Sequence, residues 1–267
     1  MAKPRQWPYD ALRLAVPVQY TRIADAVDAL DDADLDLPTR LGEWRVAALV
    51  AHLEGNLRLL LAGLSQPSPQ PTAPRGLAYR GDRAPEDQAR IADLAQRRAA
   101  GRPPAELRAG LRSALDATVE ALSRESEDRV VLIEERGPIR LSEYLVTRCT
   151  EGVVHGLDLA AATGTAVDPE PTALRTVVRL LADRLVERAP GQAVEVRIPG
   201  PAGCAVQCVE GPRHTRGTPG SVVEVRDPHA WVELASGRRS WSDSVGSGLV
   251  LASGEHADLS PYLPVLT

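Results

Sequence analysis

The stretch TEGVVHGLDLAAATG, residues 150–164, combines the small and apolar residues of a buried helix with charged residues that such a helix does not need. Glu151 and His155 lie four positions apart, so a helix places them one above the other on a single face. Arg148 and Asp158 share that face. The pattern leaves two interpretations open: this polar face is in contact with solvent, or it holds a ligand.

In the sequence around this stretch, the periodicity of apolar residues predicts a bundle of helices. The helix itself is expected to span about residues 142–163, with Ser142 as N-cap and Gly164 as its C-terminal stop. Three further long amphipathic helices are predicted at 9–31, 45–64 and 104–124. A shorter helix is expected at 85–99, after a loop rich in Pro, Gly and Ser. Four long helices favour a four-helix bundle.

The pattern changes after Gly164. One more helix, at 170–188, precedes short strands expected at 193–198, 203–209 and 221–227, with a last strand near the C-terminus. Asp227 and Pro228 have the residue types of an N-cap and a first helical position. The sequence therefore predicts an α+β protein, with a four-helix bundle in residues 1–167 and a smaller α+β domain in residues 168–267.

Composition narrows the class of protein. The net charge is −5 and the arginines form no long basic run, which argues against a nucleic-acid binder. No apolar stretch is expected to reach the roughly 18 residues of a membrane span, and the N-terminus lacks the apolar segment of a secretion signal. We expect a cytoplasmic protein, monomeric or homodimeric. Phe is absent and Lys3 is the only lysine, a bias typical of the GC-rich codons of an actinomycete.

The three cysteines are expected to be thiols, because an odd number without a secretion signal does not suggest a disulfide framework. Cys204, Cys208 and His214 could form part of a metal site, but no fourth ligand follows at a zinc-like spacing. We favour the interpretation that these cysteines are small buried apolar residues.

His52 strengthens the ligand interpretation of the polar face. It lies in the middle of the second helix, among leucines, where an imidazole needs a partner. His52, Glu151 and His155 together would form a set of two histidines and one carboxylate, which leaves metal positions open for water or substrate. Asp158 could orient His155. A buried histidine with a partner inside the core remains the alternative.

The sequence resembles a known family at these residues. TRLGEWRVAALVAHLEGNLRLLLAGL and TRCTEGVVHGLDLAAATG are similar to the two signature helices of the mycothiol-dependent maleylpyruvate isomerase family, which belongs to the DinB-like metal-binding bundles. Trp44 and His52 match its second helix, and Glu151, His155 and Asp158 match its fourth. The C-terminal stretch DPHAWVELASGRRSWSDSVGSGLVLASGEHADL resembles the sterol-carrier-like domain of the same family.

The resemblance implies a divalent metal, usually zinc, held by His52, Glu151 and His155. It also implies mycothiol as thiol co-substrate and a small-molecule electrophile as substrate. Arg238, in the stretch SGRRSW, matches a Gly-Arg element of the family, and its guanidinium suits a carboxylate.

Two further predictions come from the residues themselves. Arg148, one turn before Glu151, could pair with Glu151 or with substrate, and we predict a catalytic role for it. Tyr79 and Arg80, in the loop rich in Pro and Gly, are predicted to cover the site and bind mycothiol.

The reaction is left open at this stage. A thiolate that adds to an activated double bond permits cis–trans isomerisation if the thiol is then released, and S-transfer if it is kept. Mycothiol S-transfer in secondary metabolism or detoxification is therefore an alternative to isomerisation. A third possibility is a non-enzymatic binding module in which the metal has a structural or sensing role.

Overall fold

A computed structural model describes residues 5–68, 85–133, 137–191, 193–208 and 220–266. The chain divides into two compact units, Met1–Ala173 and Leu174–Thr267. The first is helical and the second contains the larger sheet, which confirms the predicted α+β class. The domain boundary that we placed at residue 167 stays a prediction.

The first unit is built on four long helices with a fifth packed outside them. Helix α1 packs against α4 and α5, and α2 packs against α4 and α5, so these four close a bundle. The shorter α3 packs on α2. The bounds are α1 Tyr9–Asp28, α2 Val46–Leu64, α3 Pro85–Ala99, α4 Pro104–Arg124 and α5 Leu141–Thr163.

Small residues on α5 let α1 approach closely. A Cβ atom on Gly152 would lie 2.7 Å from Cγ of Gln19 and 3.3 Å from the ring of Tyr20. The Gln19 amide uses this proximity, because its Nε2 donates to the Gly152 carbonyl at 3.2 Å. Gly152 therefore allows α1 to pack closely on α5, and the neighbouring face with Glu151 and His155 meets α2.

A β-hairpin that the sequence analysis missed leads into α5. Strands β1 (Val130–Ile133) and β2 (Gly137–Arg140) pair antiparallel. Our prediction of Ser142 as N-cap is wrong, because α5 begins at Leu141 with Arg140 in the cap position. Asp128 supplies the acceptor from before the hairpin, and its two carboxylate oxygens accept from the backbone N–H and the hydroxyl of Ser142, each at 2.8 Å.

The C-terminal end of α5 agrees with the prediction. Gly164 follows the last helical residue with φ of 74°, in the left-handed region where glycine has no steric penalty. Its backbone N–H donates to the Ala160 carbonyl. This terminus fixes the length of the helix beyond the turn that carries His155 and Asp158.

The second unit contains helix α6 from Leu174 onward and, among the described residues, a four-stranded sheet. The strand order is β4-β3-β5-β6, with β3 and β5 parallel and the two outer pairs antiparallel. Asp227 caps α7 as predicted, because its side chain accepts from the His229 N–H at 3.0 Å. The elements are α6 Pro171–Arg188, β3 Val194–Ile198, β4 Cys204–Cys208, β5 Ser221–Val225, α7 Pro228–Ala235, α8 Trp241–Gly246 and β6 Val250–Ser253.

Trp231 ties α7 to α6 in this unit. Its side chain is fully buried, and its indole N–H donates to the Val178 carbonyl at 3.1 Å. The three cysteines form no disulfide. Cys149 and Cys208 are buried and Cys204 is half-buried, while His214 lies outside the described residues.

Helix α2 is more apolar than the sequence analysis allowed. Within the described residues it is the one helix whose length and mean hydropathy would suffice to cross a membrane, although 67% of its most apolar window is buried inside the protein. The core helix of a bundle has the same properties, so this is weak evidence for a membrane span.

Candidate metal centre

Helices α2 and α5 bring three predicted ligands together. His52 lies midway along α2, and Glu151 and His155 lie one turn apart on α5. One donor atom from each side chain lies within 4.8 Å of the others. Oε2 of Glu151 is 3.0 Å from Nε2 of His52 and 3.2 Å from Nε2 of His155. Glu151 and His155, one turn apart on α5, therefore lie beside His52, which is distant from them in sequence.

The polar face of α5 is buried. Arg148 and Asp158 are both 0% exposed, and Glu151 is 8% exposed, so the interpretation of this face as the solvent side is wrong. The side chains of His52 and His155 are each 12% exposed. Solvent therefore reaches the two imidazoles, while the charged groups around them are enclosed.

Asp158 orients His155 and is itself held by an arginine. Its Oδ2 accepts from Nδ1 of His155 at 2.9 Å, which leaves Nε2 as the nitrogen that faces Glu151. Its Oδ1 accepts from Nε of Arg40 at 2.6 Å. A carboxylate behind a histidine is the usual outer partner of a metal-bound imidazole, because it fixes the ring and its tautomer.

Asn56 and Arg148 form the other side of the cluster. Nδ2 of Asn56 lies 3.1 Å from Nε2 of His52 and 3.3 Å from Oε2 of Glu151. Arg148 donates through one terminal nitrogen to Oδ1 of Asn56 at 2.6 Å. The predicted catalytic role of Arg148 stays a prediction, but the guanidinium is fully buried and bonded to the bundle.

Trp44 covers the two imidazoles. Its ring centroid lies 5.1 Å from that of His52 and 6.4 Å from that of His155. The two imidazoles meet edge to face with centroids 5.0 Å apart. Trp44, which the sequence analysis matched to the second signature helix of the family, therefore packs against two of the candidate ligands.

The two histidines differ in their electrostatic surroundings. Burial lowers the pKa of His52 despite its contact with Glu151. Burial also acts to lower the pKa of His155, but hydrogen bonds to Asp158 and Glu151 outweigh it and raise the pKa above the ordinary value. The two pKa values therefore shift in opposite directions, and His155 takes up a proton more readily than His52.

Three further residues were predicted to contribute to the site: Tyr79, Arg80 and Arg238. Tyr79 and Arg80 fall outside the described residues. Arg238 belongs to the second unit, where it follows α7 and donates to the Ser236 carbonyl at 2.7 Å. With Arg239 and Trp241 it lines a cleft of about 510 Å³ in that unit. Its predicted role as a carboxylate holder stays a prediction.

Sequence reasoning missed Asn56 and Arg40. Asn56 follows His52 by four positions, so helical spacing could have placed it on the same face, and it is the only asparagine in the chain. Arg40 lies in the irregular segment before α2, where no periodicity relates it to Asp158. Only the tertiary structure identifies that contact.

Comparisons with known proteins agree with this fold. The family model of the mycothiol maleylpyruvate isomerase N-terminal domain matches residues 17–160, and a model described as bacterial SCP ortholog matches residues 170–265. A crystal structure of the mycothiol-dependent maleylpyruvate isomerase covers 93% of this chain and 94% of its own, with 18% identity and a TM-score of 0.61. A structure of a mutant of that enzyme gives the same coverage and identity, with a TM-score of 0.60. No curated protein matches in sequence.

Proposed function

The chain belongs to the mycothiol maleylpyruvate isomerase family, and on that premise we propose that it is a mycothiol-dependent enzyme that isomerises a small electrophilic substrate of the maleylpyruvate type. One observation carries the proposal: donor atoms of His52, Glu151 and His155 converge within 4.8 Å. This convergence is what a thiol-activating metal requires.

The donor set fits a divalent metal, and we propose zinc. Two imidazole nitrogens and one carboxylate oxygen are a common set in catalytic zinc sites, in which a fourth position is left for an exchangeable ligand. Oε2 of Glu151 has three nitrogen atoms within 3.3 Å, from His52, His155 and Asn56. A cation ligated by both imidazoles and the carboxylate would relieve this crowding.

The charges around the cluster favour an anionic thiol and an anionic substrate. Glu151 and Asp158 each contribute one negative charge, and Arg40 and Arg148 each contribute one positive charge, so these four side chains cancel. When bound, a divalent metal supplies a position at which a thiol loses its proton at neutral pH. The two positive charges of the metal would then be balanced by the thiolate and by one carboxylate of the substrate.

The proposed chemistry balances without a further reactant. The thiolate sulfur forms a bond to one carbon of the substrate double bond, and the electron pair moves into the conjugated carbonyl. The former double bond becomes single and rotates. Return of the electron pair expels the thiolate and restores the double bond in the trans form. If the enolate instead takes up the proton that the thiol had lost, and the adduct is released with sulfur attached, the outcome is S-transfer.

Two sets of residues complete the proposal. Arg238 would hold a carboxylate of the substrate, because its guanidinium can form two parallel hydrogen bonds to such a group. Tyr79 and Arg80 would contact mycothiol. These three assignments rest on sequence and family membership, and the support for the metal ligands is the convergence of their side chains.

The test begins with metal content. Protein purified without a His tag should contain about one zinc per chain by elemental analysis, as expected for a single three-ligand site. Incubation with mycothiol and maleylpyruvate, followed by ¹H NMR, should show the trans isomer only when the thiol is present. Metal-loaded protein that forms neither isomer nor thioether would overturn the proposal.

The same experiment separates the alternatives. Accumulation of a stable mycothiol thioether would identify S-transfer. A protein that fails to take up metal even after reconstitution would favour a binding module. Chelation is informative as well, because removal of a structural metal unfolds the protein, while removal of a catalytic metal leaves the fold intact.

A further inference from the structure

Asn56 lies where it can control the carboxylate at the candidate metal centre. It is one turn after His52 on α2 and almost fully buried, at 8% exposure. Its Nδ2 is 3.3 Å from Oε2 of Glu151, the same oxygen that faces both imidazoles. A buried amide at this position contributes hydrogen bonds that solvent cannot replace.

Arg148 determines which way the Asn56 amide faces. One terminal nitrogen of Arg148 lies 2.6 Å from Oδ1 of Asn56 and 3.3 Å from the Asn56 carbonyl oxygen. A guanidinium has only donors, so the amide oxygen must face Arg148. The amide NH₂ group must then face His52 and Glu151. The two ends of an amide are often hard to distinguish, and here the arginine settles the assignment.

Arg148 is itself fixed in place. Its Nε donates to Oγ1 of Thr147 at 3.1 Å, and its guanidinium lies 4.8 Å from the ring centroid of Tyr144. The side chain is 0% exposed. A charge this deeply buried is costly unless it is bonded on several sides, so the arginine is held in one orientation and can hold Asn56 in turn.

We propose that Asn56 is a positioning residue, oriented by Arg148, that holds the Glu151 carboxylate for metal binding. When the His52 ring nitrogen is used as a ligand, the NH₂ group of Asn56 has Glu151 as its remaining acceptor in this cluster. Arg148 then acts through Asn56 and does not need to contact substrate. This inference rests on one part of the proposed function, the binding of a metal ion, and it does not depend on which reaction the protein catalyses.

The test is zinc affinity measured by competition with a chromogenic chelator. Asn56→Leu keeps the number and branching of the side-chain heavy atoms and removes both the donor to Glu151 and the acceptor for Arg148. Zinc affinity should fall by about 10–100-fold, the range seen when outer partners of metal ligands are removed. The absorption spectrum of the cobalt-loaded variant should also change, because the spectrum reports the ligand arrangement.

Further variants separate positioning from general stability. Thr118→Val, which removes a buried hydroxyl bond on α4, should leave zinc affinity and the cobalt spectrum unchanged. Arg148→Met should also lower zinc affinity. The double variant Asn56→Leu/Arg148→Met should lose no more zinc affinity than the weaker-binding of the two single variants, because the effects of residues that act through one another do not add. If a variant folds poorly, the smaller change Asn56→Ala is measured on the folded fraction.

The outcomes are distinct. Wild-type protein that binds zinc while Asn56→Leu binds it within about 3-fold, with an unchanged cobalt spectrum, would overturn the positioning role and leave the proposed function intact. Fully additive losses in the double variant would overturn the series arrangement of Arg148 and Asn56. Wild-type protein that binds neither zinc nor cobalt would overturn both the positioning role of Asn56 and the proposed function. Zinc binding without isomerisation would remove only the proposed reaction.

Discussion

Helix α2 carries two polar clusters that look alike in sequence and differ in structure. His52 and Asn56 lie four residues apart and face α5, while Glu54 and Arg58 lie four residues apart and face away from that cluster, toward Arg102. We call the first set, with Glu151 and His155, the ligand cluster. We call Glu54, Arg58 and Arg102 the charge cluster.

In the charge cluster, the hydrogen-bonding capacity of the carboxylate is used by arginines of the same cluster. The two carboxylate oxygens of Glu54 each accept from a different arginine, Arg58 at 2.7 Å and Arg102 at 2.8 Å. In the ligand cluster, three nitrogens crowd one oxygen of Glu151. The difference teaches that buried polarity alone does not mark a functional site. The ligand cluster differs from the charge cluster because two imidazole nitrogens and a carboxylate oxygen, all possible metal ligands, converge on one point. The charged side chains around that point already balance one another.

The largest expected effect is loss of metal when a ligand is removed. His155→Ala should reduce zinc from near-stoichiometric to background, since the loss of a direct ligand should exceed the roughly 10–100-fold cost of losing an outer partner. Elemental analysis after gel filtration measures it. Glu54→Gln is the matched control in the charge cluster and should retain its zinc. Equal zinc content in His155→Ala and wild type would contradict the assignment.

The next effect concerns Asp158. Its two oxygens accept from Arg40 and His155, which are both donors. Asn offers only one acceptor oxygen, so Asp158→Asn must leave one of these donors facing an NH₂ group. Zinc affinity should fall about 10–100-fold. The exposed change Asp93→Asn, which breaks a surface pair with Arg97, should not alter chelator competition. An unchanged affinity in Asp158→Asn would show that Asp158 has no influence on His155.

The clusters should also respond to different ranges of pH. The pKa of His155 is raised above 6.5, because hydrogen bonds to Asp158 and Glu151 outweigh the effect of burial. The charged ring must lose a proton before Nε2 can bind metal, so zinc affinity should increase with pH through and above 6.5. The gain should approach about tenfold per pH unit for one displaced proton. Competition titrations at several pH values measure it, and a flat profile would contradict the raised pKa.

The smallest effect is on stability alone. Burial acts to raise the pKa of Glu54, but hydrogen bonds to Arg102 and Arg58 lower it below 4.5. The stabilisation is therefore complete above pH 4.5 and lost as pH falls through the lowered pKa. Glu54→Gln should cost about 1–3 kcal/mol of unfolding free energy at neutral pH. Denaturant titrations should show this difference shrinking in acid, and a constant difference would contradict the charge-based origin.

Local sequence patterns predicted most helices because they depend on apolar spacing along one element. The periodicities of α1, α2, α4 and α5 agree with the structure to within a few residues at the ends. The hairpin of β1 and β2 was missed because two four-residue strands carry little periodicity. Ser142 was misassigned as a cap because Asp128, fourteen residues earlier, supplies the acceptor.

The sequence by itself determined the α+β class, the family and the face of α5 on which Glu151, His155 and Asp158 lie, because helical spacing is a local property. It could not determine whether that face is buried, since this depends on which helix packs against it. The tertiary structure decided that His52 meets Glu151, that Arg40 holds Asp158 and that Arg148 orients Asn56. These contacts join residues about 90 to 120 positions apart, and only the packing of the bundle brings them together.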